Sequence, residues 1–256
     1  MKPLLLSFLI LLAGNSLFAQ HAHFTTSGTV EFEKTINVYA LIQKEIGKDE
    51  GGFAGPAFEQ YKKDHPQFQK VKSTLTFADN KSLFKPIEEE NPTSYGFFDI
   101  SAAKQNNITY TDLASGKSTT QKKVFEETFL VKDSVRNIHW KITDETREIA
   151  GYTCRRANAI IMDSVYVVAF YTDRIHVSGG PESFTGLPGM ILGLALPHEN
   201  ITWFATKVTD STIPENAVVP PKKGKPVNNK ELKTTLQSVM KNWGDEAQTE
   251  LRAFLM

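Results

Sequence analysis

Short stretches in which apolar and polar residues alternate fill most of the middle of the chain. Alternation with a period of two is typical of a β-strand with one buried face. The predicted strands are residues 29–33, 72–78, 81–87, 107–111, 118–125, 128–131, 138–142, 152–162, 165–172 and 202–208. Because the turns between them are short and polar, we expect antiparallel pairing. The predicted fold class is mainly β, as a curved antiparallel sheet or an open half-barrel.

Helical spacing of apolar residues appears in two regions. Residues 38–46 and 57–64 predict a short helical insertion, interrupted by glycines. Near the C-terminus, apolar residues recur at steps of three and four and predict an amphipathic helix within 228–256. This stripe consists of Leu232, Leu236, Val239, Met240, Trp243, Ala247, Leu251 and Phe254. We expect it to pack on an open face of the sheet; a helix that docks on a partner or a membrane surface is the alternative.

The first residues resemble a secretory signal peptide. Lys2 precedes an apolar run from Leu4 to Ala13, which is too short to span a bilayer, and cleavage is expected after Ala19. An uncleaved anchor is the alternative. The predicted organisation is a signal peptide (1–19), a β-rich domain (20–211), a Pro- and Lys-rich connector (212–227) and the C-terminal helix (228–256). The mature protein is expected in the periplasm or at the outer membrane.

Charge and cysteine content narrow the classes of function. The 29 basic and 29 acidic residues balance, and no basic stripe is present, so nucleic acid is not expected as a partner. The single cysteine, Cys154, cannot form an internal disulfide. It also lies far from the cleavage point, so no lipid anchor is expected. No later segment is long and apolar enough to predict a transmembrane helix in the mature chain.

Residues 149–208 carry the most specific sequence signature. Its motifs are Gly151-Tyr152-Thr153-Cys154-Arg155-Arg156-Ala157, Phe170-Tyr171-Thr172, Gly180-Pro181 and Gly186-Leu187-Pro188-Gly189-Met190-Ile191. In this order they resemble the GLPGLI family of exported bacterial proteins, with Met190 replacing a leucine of similar volume. The resemblance implies export and a β fold. It supplies no catalytic residue.

The same segment predicts a sharp corner in the fold. Gly186, Pro188 and Gly189 are the expected turn residues, with Pro188 and Gly189 suited to the centre of a type II turn. Residues 190–196 then predict a strand that is apolar on both faces and therefore buried. The corner has either a purely structural role or forms the rim of an apolar ligand pocket. The candidate ligand-binding residues are Tyr171, Phe184, Leu187 and Met190.

Candidate chemistry is sparse. No nucleophile motif is present, and Asp173, His176 and Ser178 do not have the spacing of a catalytic triad. Cys154 is expected to be a half-buried small hydrophobe, although Arg155 and Arg156 beside it favour a reactive thiol as the alternative. No cofactor is predicted by a motif. After cleavage, however, His21 and His23 would lie next to a free amine, which is a candidate copper or zinc site.

These observations favour a non-enzymatic exported envelope protein that binds an apolar ligand or a protein partner. A copper- or zinc-binding envelope protein that uses the mature N-terminus is one alternative. An uncharacterised hydrolase is the other. The classes predict different sites, because an enzyme needs a cleft with perturbed titratable groups whereas a carrier needs an apolar cavity.

Overall fold

The computed structural model describes residues 25–47, 53–87, 98, 100–244 and 246–256. The strands are β1 (Gly28–Asn37), β2 (Phe68–Ala78), β3 (Lys81–Pro86), β4 (Ile108–Asp112), β5 (Lys117–Val124), β6 (Glu127–Ser134), β7 (Lys141–Ile149), β8 (Tyr152–Ile161), β9 (Val165–Thr172), β10 (Met190–Leu196), β11 (Ile201–Asp210) and β12 (Lys225–Val227). The α-helices are α1 (Val38–Ile46), α2 (Ala54–Asp64), α3 (Ser101–Lys104), α4 (Asn229–Val239) and α5 (Glu246–Leu255). The predicted signal peptide lies outside the described residues.

All twelve described strands belong to one sheet that does not close into a barrel. Its order is β12-β6-β5-β4-β3-β2-β1-β11-β10-β9-β8-β7. Pairing is antiparallel throughout, except that β12 runs parallel to β6. The chain therefore forms one meander from β1 to β6 and a second from β7 to β11, and the pairing of β1 with β11 joins them. The predicted fold class, a mainly β protein with an open, curved antiparallel sheet, is confirmed.

The connection from β6 to β7, residues 135–140, requires the sheet to curve strongly. In the sheet order β6 and β7 are ten positions apart, which would be about 48 Å in a flat sheet with strands about 4.8 Å apart. The seven residue steps from Ser134 to Lys141 reach at most about 25 Å. The two ends of the sheet must therefore face each other across a gap.

Two apolar clusters stabilise the domain. The larger one fills the curved sheet and includes strands β9 and β10, which are buried on both faces as predicted for residues 190–196. The smaller cluster lies between β5, β6 and the two C-terminal helices, and contains Val124, Phe129, Val131, Leu232, Leu236, Met240, Leu251 and Phe254. Most of the predicted C-terminal stripe is thus buried against the sheet, in agreement with the packing role that we expected.

The C-terminal region differs from the prediction in one respect. Instead of one helix over 228–256, it forms α4 and α5, separated by a turn in which Gly244 has a left-handed φ of +58°. Asn228 caps α4 through a capping box with Glu231. The three- and four-residue spacing continues through the break because both helices pack on the same cluster, so the spacing alone could not reveal it. The connector before them contains a 3₁₀ turn (Glu215–Ala217) and β12.

Candidate functional site

The corner predicted at Gly186–Gly189 is present, but its turn is tighter than a type II turn. The Gly189 amide donates to the Leu187 carbonyl oxygen at 2.8 Å, so Pro188 is the centre of a three-residue γ-turn. Gly189 has a φ of +141°, and a Cβ there would lie 2.0 Å from the Thr172 carbonyl oxygen. The Gly186 amide donates to Ser178 Oγ at 3.0 Å. The corner is therefore held by backbone contacts that leave no room for a side chain at position 189.

The four candidate ligand-binding residues at this corner are packed in the main core. Tyr171, Phe184, Leu187 and Met190 are all buried. None of the four cavities described for this chain is lined by any of them. A ligand could reach these side chains only if the corner opened. The apolar binding site therefore stays a prediction, without a cavity to support it in the described structure.

The remaining sequence candidates do not converge on a site. Cys154 is fully buried, and burial raises the pKa of its thiol to about 12, so the group is protonated at neutral pH and packs as a small hydrophobe. Among the described residues, no group of three or more His, Cys, Asp and Glu side chains is placed to hold a metal ion. His21 and His23 lie outside the described residues, so the copper or zinc site stays a prediction.

A set of enclosed charged side chains, which we call the charge cluster, lies where the loop after β9 meets the end of α5. Its members are Lys34 of β1, Lys122 of β5, Arg136 after β6 and Glu182 in the loop. Lys34 and Lys122 are only 4% and 5% exposed. Glu182 is partly exposed as a residue, but its carboxyl group is enclosed. Lys34 and Lys122 therefore share the Glu182 carboxyl group, although buried charges normally occur in balanced pairs.

Hydrogen bonds connect the charge cluster to the end of α5. Lys122 Nζ donates to the Phe254 carbonyl oxygen, and Arg136 Nη2 donates to the backbone oxygens of Leu255 (2.8 Å) and Met256 (3.3 Å). The last carbonyls of a helix lack partners within it and form the negative end of its dipole, so they attract cations. Asn107 Nδ2 donates to Glu182 Oε2 at 3.2 Å. These bonds fix the end of α5 over the sheet.

Burial shifts the pKa of each ionisable group in this interior. It lowers the pKa of Lys34, and it lowers the pKa of Lys122 to about 8, because a charged ammonium loses its hydration. Burial also raises the pKa of Glu182, against the opposing effect of Lys34 and Lys122. Glu182 has, in addition, a left-handed φ of +55°, which is a strained conformation for a residue other than glycine. The loop after β9 therefore has a strained backbone at Glu182, and this conformation points the Glu182 carboxyl group inward.

A small inner cavity of about 50 Å³ adjoins the charge cluster. Lys122, Arg136, Glu182 and Asn107 line it, together with hydroxyl groups of β4 and β5. Within the described part of the chain, Asn107 Oδ1 and Arg136 Nη1 are buried without a hydrogen-bond partner. The cavity has room for ordered water, which could satisfy both groups.

Two larger cavities lie on opposite sides of α5. The first, about 400 Å³, we call the aromatic groove; it lies between α1, α3, the β5–β6 turn and α5. The second, about 1050 Å³, we call the basic cleft; it lies at the gap between the two ends of the sheet. On α5, residues 246, 249, 250 and 253 line the groove and residues 248, 251, 252 and 255 line the cleft. At 3.6 residues per turn, these two sets fall on opposite faces of the helix.

Two partly exposed aromatic rings mark the aromatic groove. Phe125 is 41% exposed and Trp243 is 40% exposed, and their ring centroids are 5.5 Å apart. Phe125 is the first turn residue between β5 and β6 and has a left-handed φ of +53°. Glycine, asparagine and aspartate are the residues preferred at such positions. Four carboxyl groups (Glu45, Glu199, Glu246 and Glu250) and the ammonium group of Lys44 supply the charged part of the lining. The rest consists of Leu41, Ile100, Ser101, Ala102, Thr249 and Ala253.

The sequence analysis did not predict the charge cluster with its inner cavity, the aromatic groove or the basic cleft. For Lys34 the sequence contains a signal of burial, because Lys34 lies on the same face of β1 as the buried Val30, Phe32 and Ile36. Lys122 lies two residues before the buried Val124 on β5, which is the same signal. Glu182 and Arg136 carry no local signal, since both lie between strands and their burial depends on packing of distant elements. The sequence analysis places Trp243 on the packed face of a single long helix, whereas in the structure it lies between α4 and α5 and is 40% exposed.

Comparisons with known proteins give the chain a family. The profile described as "N-glycanase peptide, N-terminal domain" matches residues 72–231. The crystal structure of PNGF-II in space group P21 aligns with 82% of this chain and 33% of its own, at 14% identity and a TM-score of 0.50. The C2 crystal form aligns with 79% of this chain and 31% of its own, at 13% identity and the same TM-score. No curated protein sequence matches the chain.

This likeness in structure concerns the fold, and this chain spans about a third of the length of the PNGF-II chains that it matches. The match to the family profile covers well over half of the chain, including the strands from β3 to β11 and the start of α4. The chain therefore belongs to the family of N-glycanase N-terminal domains.

Proposed function

We propose that this protein is an exported, non-enzymatic binding domain that recognises glycans through the aromatic groove. Export is the expectation from the signal-peptide pattern of residues 1–19 and from the GLPGLI-type motifs. The glycan ligand is suggested by the chemistry of the groove and by the family. The proposal replaces an apolar ligand at the corner with a polar one at α5, because the groove offers accessible side chains and the corner does not.

The observation that carries the proposal is the conformation of Phe125. A left-handed φ costs an ordinary residue roughly 1–2 kcal/mol, and Phe125 has it while exposing 41% of its surface. Burial of the ring therefore offsets only part of that cost. Strain of this kind is found where a function requires a particular side chain. Here it holds an aromatic ring beside Trp243 at the edge of a cavity.

The groove offers the two types of contact that a sugar ring needs. A pyranose has faces of C–H groups, which pack on aromatic rings, and a rim of hydroxyl groups, which donate to carboxylates. Phe125 and Trp243 supply the rings, and the carboxyl groups come from Glu246, the first residue of α5, and from Glu250, about one turn later. A volume of about 400 Å³ is within the range of small-ligand sites.

The family gives the proposal its ligand class. An N-glycanase, by its name, acts on N-linked glycans, and this chain belongs to the family of N-terminal domains of such proteins. In the proposed role, the domain holds the glycan part of a glycoprotein. Catalysis by a glycanase is not part of the proposal for this chain.

The test is binding of a glycopeptide that carries a neutral high-mannose N-glycan, measured by isothermal titration calorimetry on the mature protein. The same peptide without the glycan is the comparison ligand. We expect binding of the glycopeptide alone, and a loss of affinity of at least about tenfold for Trp243→Ala and for Phe125→Gly, because each change removes a stacking surface.

A matched control is Phe53→Ala, because Phe53 is a more exposed ring (74%) that lies away from the groove. Its affinity should equal that of the unaltered protein. Equal affinity for the peptides with and without glycan, or full affinity in both groove variants, would reject the proposal.

A further inference from the structure

The basic cleft has a composition unlike that of the aromatic groove. Three cationic side chains line it, Arg136, Lys233 and Arg252, against one carboxylate, Asp163. The groove on the other side of α5 has four carboxyl groups and one ammonium group. Since the chain as a whole has no net charge, the helix separates a cationic cavity from an anionic one.

Amide side chains supply most of the remaining polar lining of the cleft. They are Asn137, Asn229, Gln237 and Gln248, and His139 lies among them. An amide both donates and accepts hydrogen bonds, as a sugar hydroxyl does, so the two groups can pair in either direction. Asn229 and Gln237 with Lys233 between them follow one face of α4 at four-residue steps. The amides and the cations therefore form one continuous surface.

The charge cluster adds positive potential behind this surface. Arg136 lines both the cleft and the inner cavity, and Lys122 lies beside it in that cavity. Glu182 supplies the only carboxyl side chain among the described lining residues of the inner cavity, where it lies with Lys122 and Arg136. Fields from buried charges are screened less by salt than those from exposed ones. An anionic group in the cleft near Arg136 would therefore be stabilised.

Arg136 also retains hydrogen-bonding capacity. Its Nη2 group is engaged by the end of α5, whereas Nη1 has no partner within the described part of the chain. Arg252 Nε is likewise buried without a partner among the described residues. A guanidinium group presents five N–H donors in a planar fork, which matches a carboxylate or a sulfate.

From these observations we infer that the basic cleft binds an acidic saccharide, with Arg136, Lys233 and Arg252 contacting its anionic groups and the amides contacting its hydroxyl groups. The cleft is large enough, at about 1050 Å³, for several sugar rings. The inference is independent of the aromatic groove, because the two cavities share no lining residue. Either site can be disproved without affecting the other.

The experiment uses three hexasaccharides of matched length: one carboxylated (oligogalacturonate), one sulfated and one neutral. Binding to the mature protein is measured by calorimetry at about 20 and 200 mM salt, which change the screening length from about 20 Å to below 10 Å. We expect one or both acidic oligosaccharides to bind, with weaker affinity at the higher salt, and the neutral one not to bind. Binding of the carboxylated or the sulfated probe alone identifies which anionic group the cleft prefers.

Variants locate the site. Lys233→Gln removes an exposed charge without disturbing the core and should weaken binding about threefold to tenfold at low salt. Lys230→Gln and Lys241→Gln are the controls, since both are exposed lysines that do not line the cleft. Trp243→Ala should leave this affinity unchanged. Equal losses in Lys233→Gln and the two controls would reject the inference in favour of diffuse charge attraction, and so would equal binding of the neutral oligosaccharide.

Discussion

The corner from Gly179 to Leu192 and the layer formed by α4 and α5 are opposite in character. The corner has the most specific sequence signature of the chain, and most of it is buried in the main core. The exceptions are Gly186 and Pro188, which are exposed, and Glu182 and Ser183, which line the inner cavity. The layer has an ordinary amphipathic pattern, packs on a small second cluster, and contributes to the groove, the cleft and the inner cavity. In this domain, the most specific motif lies where two backbone segments approach each other closely. The accessible polar side chains lie instead where packing constrains the sequence least.

The largest effect should come from the corner. Gly189→Ala would place a Cβ 2.0 Å from the Thr172 carbonyl oxygen at a φ of +141°. Since backbone atoms cannot move aside cheaply, we expect a loss of more than about 4 kcal/mol in the free energy of unfolding, or failure to fold. Urea denaturation of the unaltered protein and of Gly189→Ala measures this difference in the free energy of unfolding.

The matched control is Gly116→Ala, at a φ of +65° with no described atom within 4 Å of the added Cβ. It carries the conformational cost without the collision, so its loss should be about 1–2 kcal/mol. If the two alanine variants lost the same amount, close packing at the corner would not be the reason for the motif.

An intermediate effect should come from Lys122, which connects the sheet to the layer. Its pKa is lowered by burial from 10.5 to about 8, so the unfolded chain binds more protons at this group between these values. Stability from Lys122 is therefore lost as the pH falls from 10.5 toward 8, and gained as it rises. Relative to Lys122→Met, the unaltered protein should gain about 2 kcal/mol between pH 8 and pH 10.

This comparison has to be made as a difference between the two proteins. Burial raises the pKa of Cys154, so that group contributes the opposite slope above its ordinary value in both of them. Guanidinium denaturation at several pH values provides the two curves. A constant difference between the curves would show that the Lys122 ammonium is not desolvated by the layer.

A small effect on stability is expected at the surface of the layer. Phe125→Asn relieves the left-handed strain but loses contacts with Trp243 and Phe254. These contributions oppose each other, so the free energy of unfolding should change by less than about 1 kcal/mol. Thermal denaturation measures the change. A loss of 3 kcal/mol or more would show that the ring is held for packing, which contradicts its proposed role in binding.

The smallest effect is expected at a glycine outside both regions. Gly55 lies in the first turn of α2, directly before Pro56. A Cβ there meets no described atom within 4 Å outside the two neighbouring residues, but the proline ring disfavours the helical conformation of a preceding residue that carries a Cβ. This cost opposes the gain in helix propensity, so Gly55→Ala should change the free energy of unfolding by less than about 0.5 kcal/mol. A loss above about 2 kcal/mol in thermal denaturation would contradict this balance.

Local patterns in the sequence were sufficient for most elements. Strands β9 and β10 were predicted with the bounds that the structure has, because continuous apolar runs between turn residues identify buried strands. The β2–β3 hairpin was predicted from the alternating runs 72–78 and 81–87. The two residues between these runs, Asp79 and Asn80, have the left-handed φ that such a turn requires. Residues of these elements interact with near neighbours in the chain, so the local pattern of apolar and polar residues is sufficient to predict them.

Long-range features were not predictable in the same way. The pairing of β1 with β11 joins residues more than 160 positions apart, for example Ile36 and Ile201, and no local signal specifies it. The polar sites depend on that arrangement, because Lys34, Lys122 and Glu182 come from three separate segments. Charged residues are normally assigned to the surface, so their burial becomes visible only when the segments are assembled.

The connection formed by residues 135–140 has a consequence for how the domain folds. The meanders β1–β6 and β7–β11 consist of near-neighbour pairings, which form early because they close short loops. The ladder between β1 and β11 joins residues far apart in the chain, so we expect it to form after the two meanders. We therefore expect that two fragments, made by dividing the chain within residues 135–140, assemble on mixing. The β1–β11 ladder and the C-terminal helices would hold them together, and this connection would be a suitable division point for a split protein.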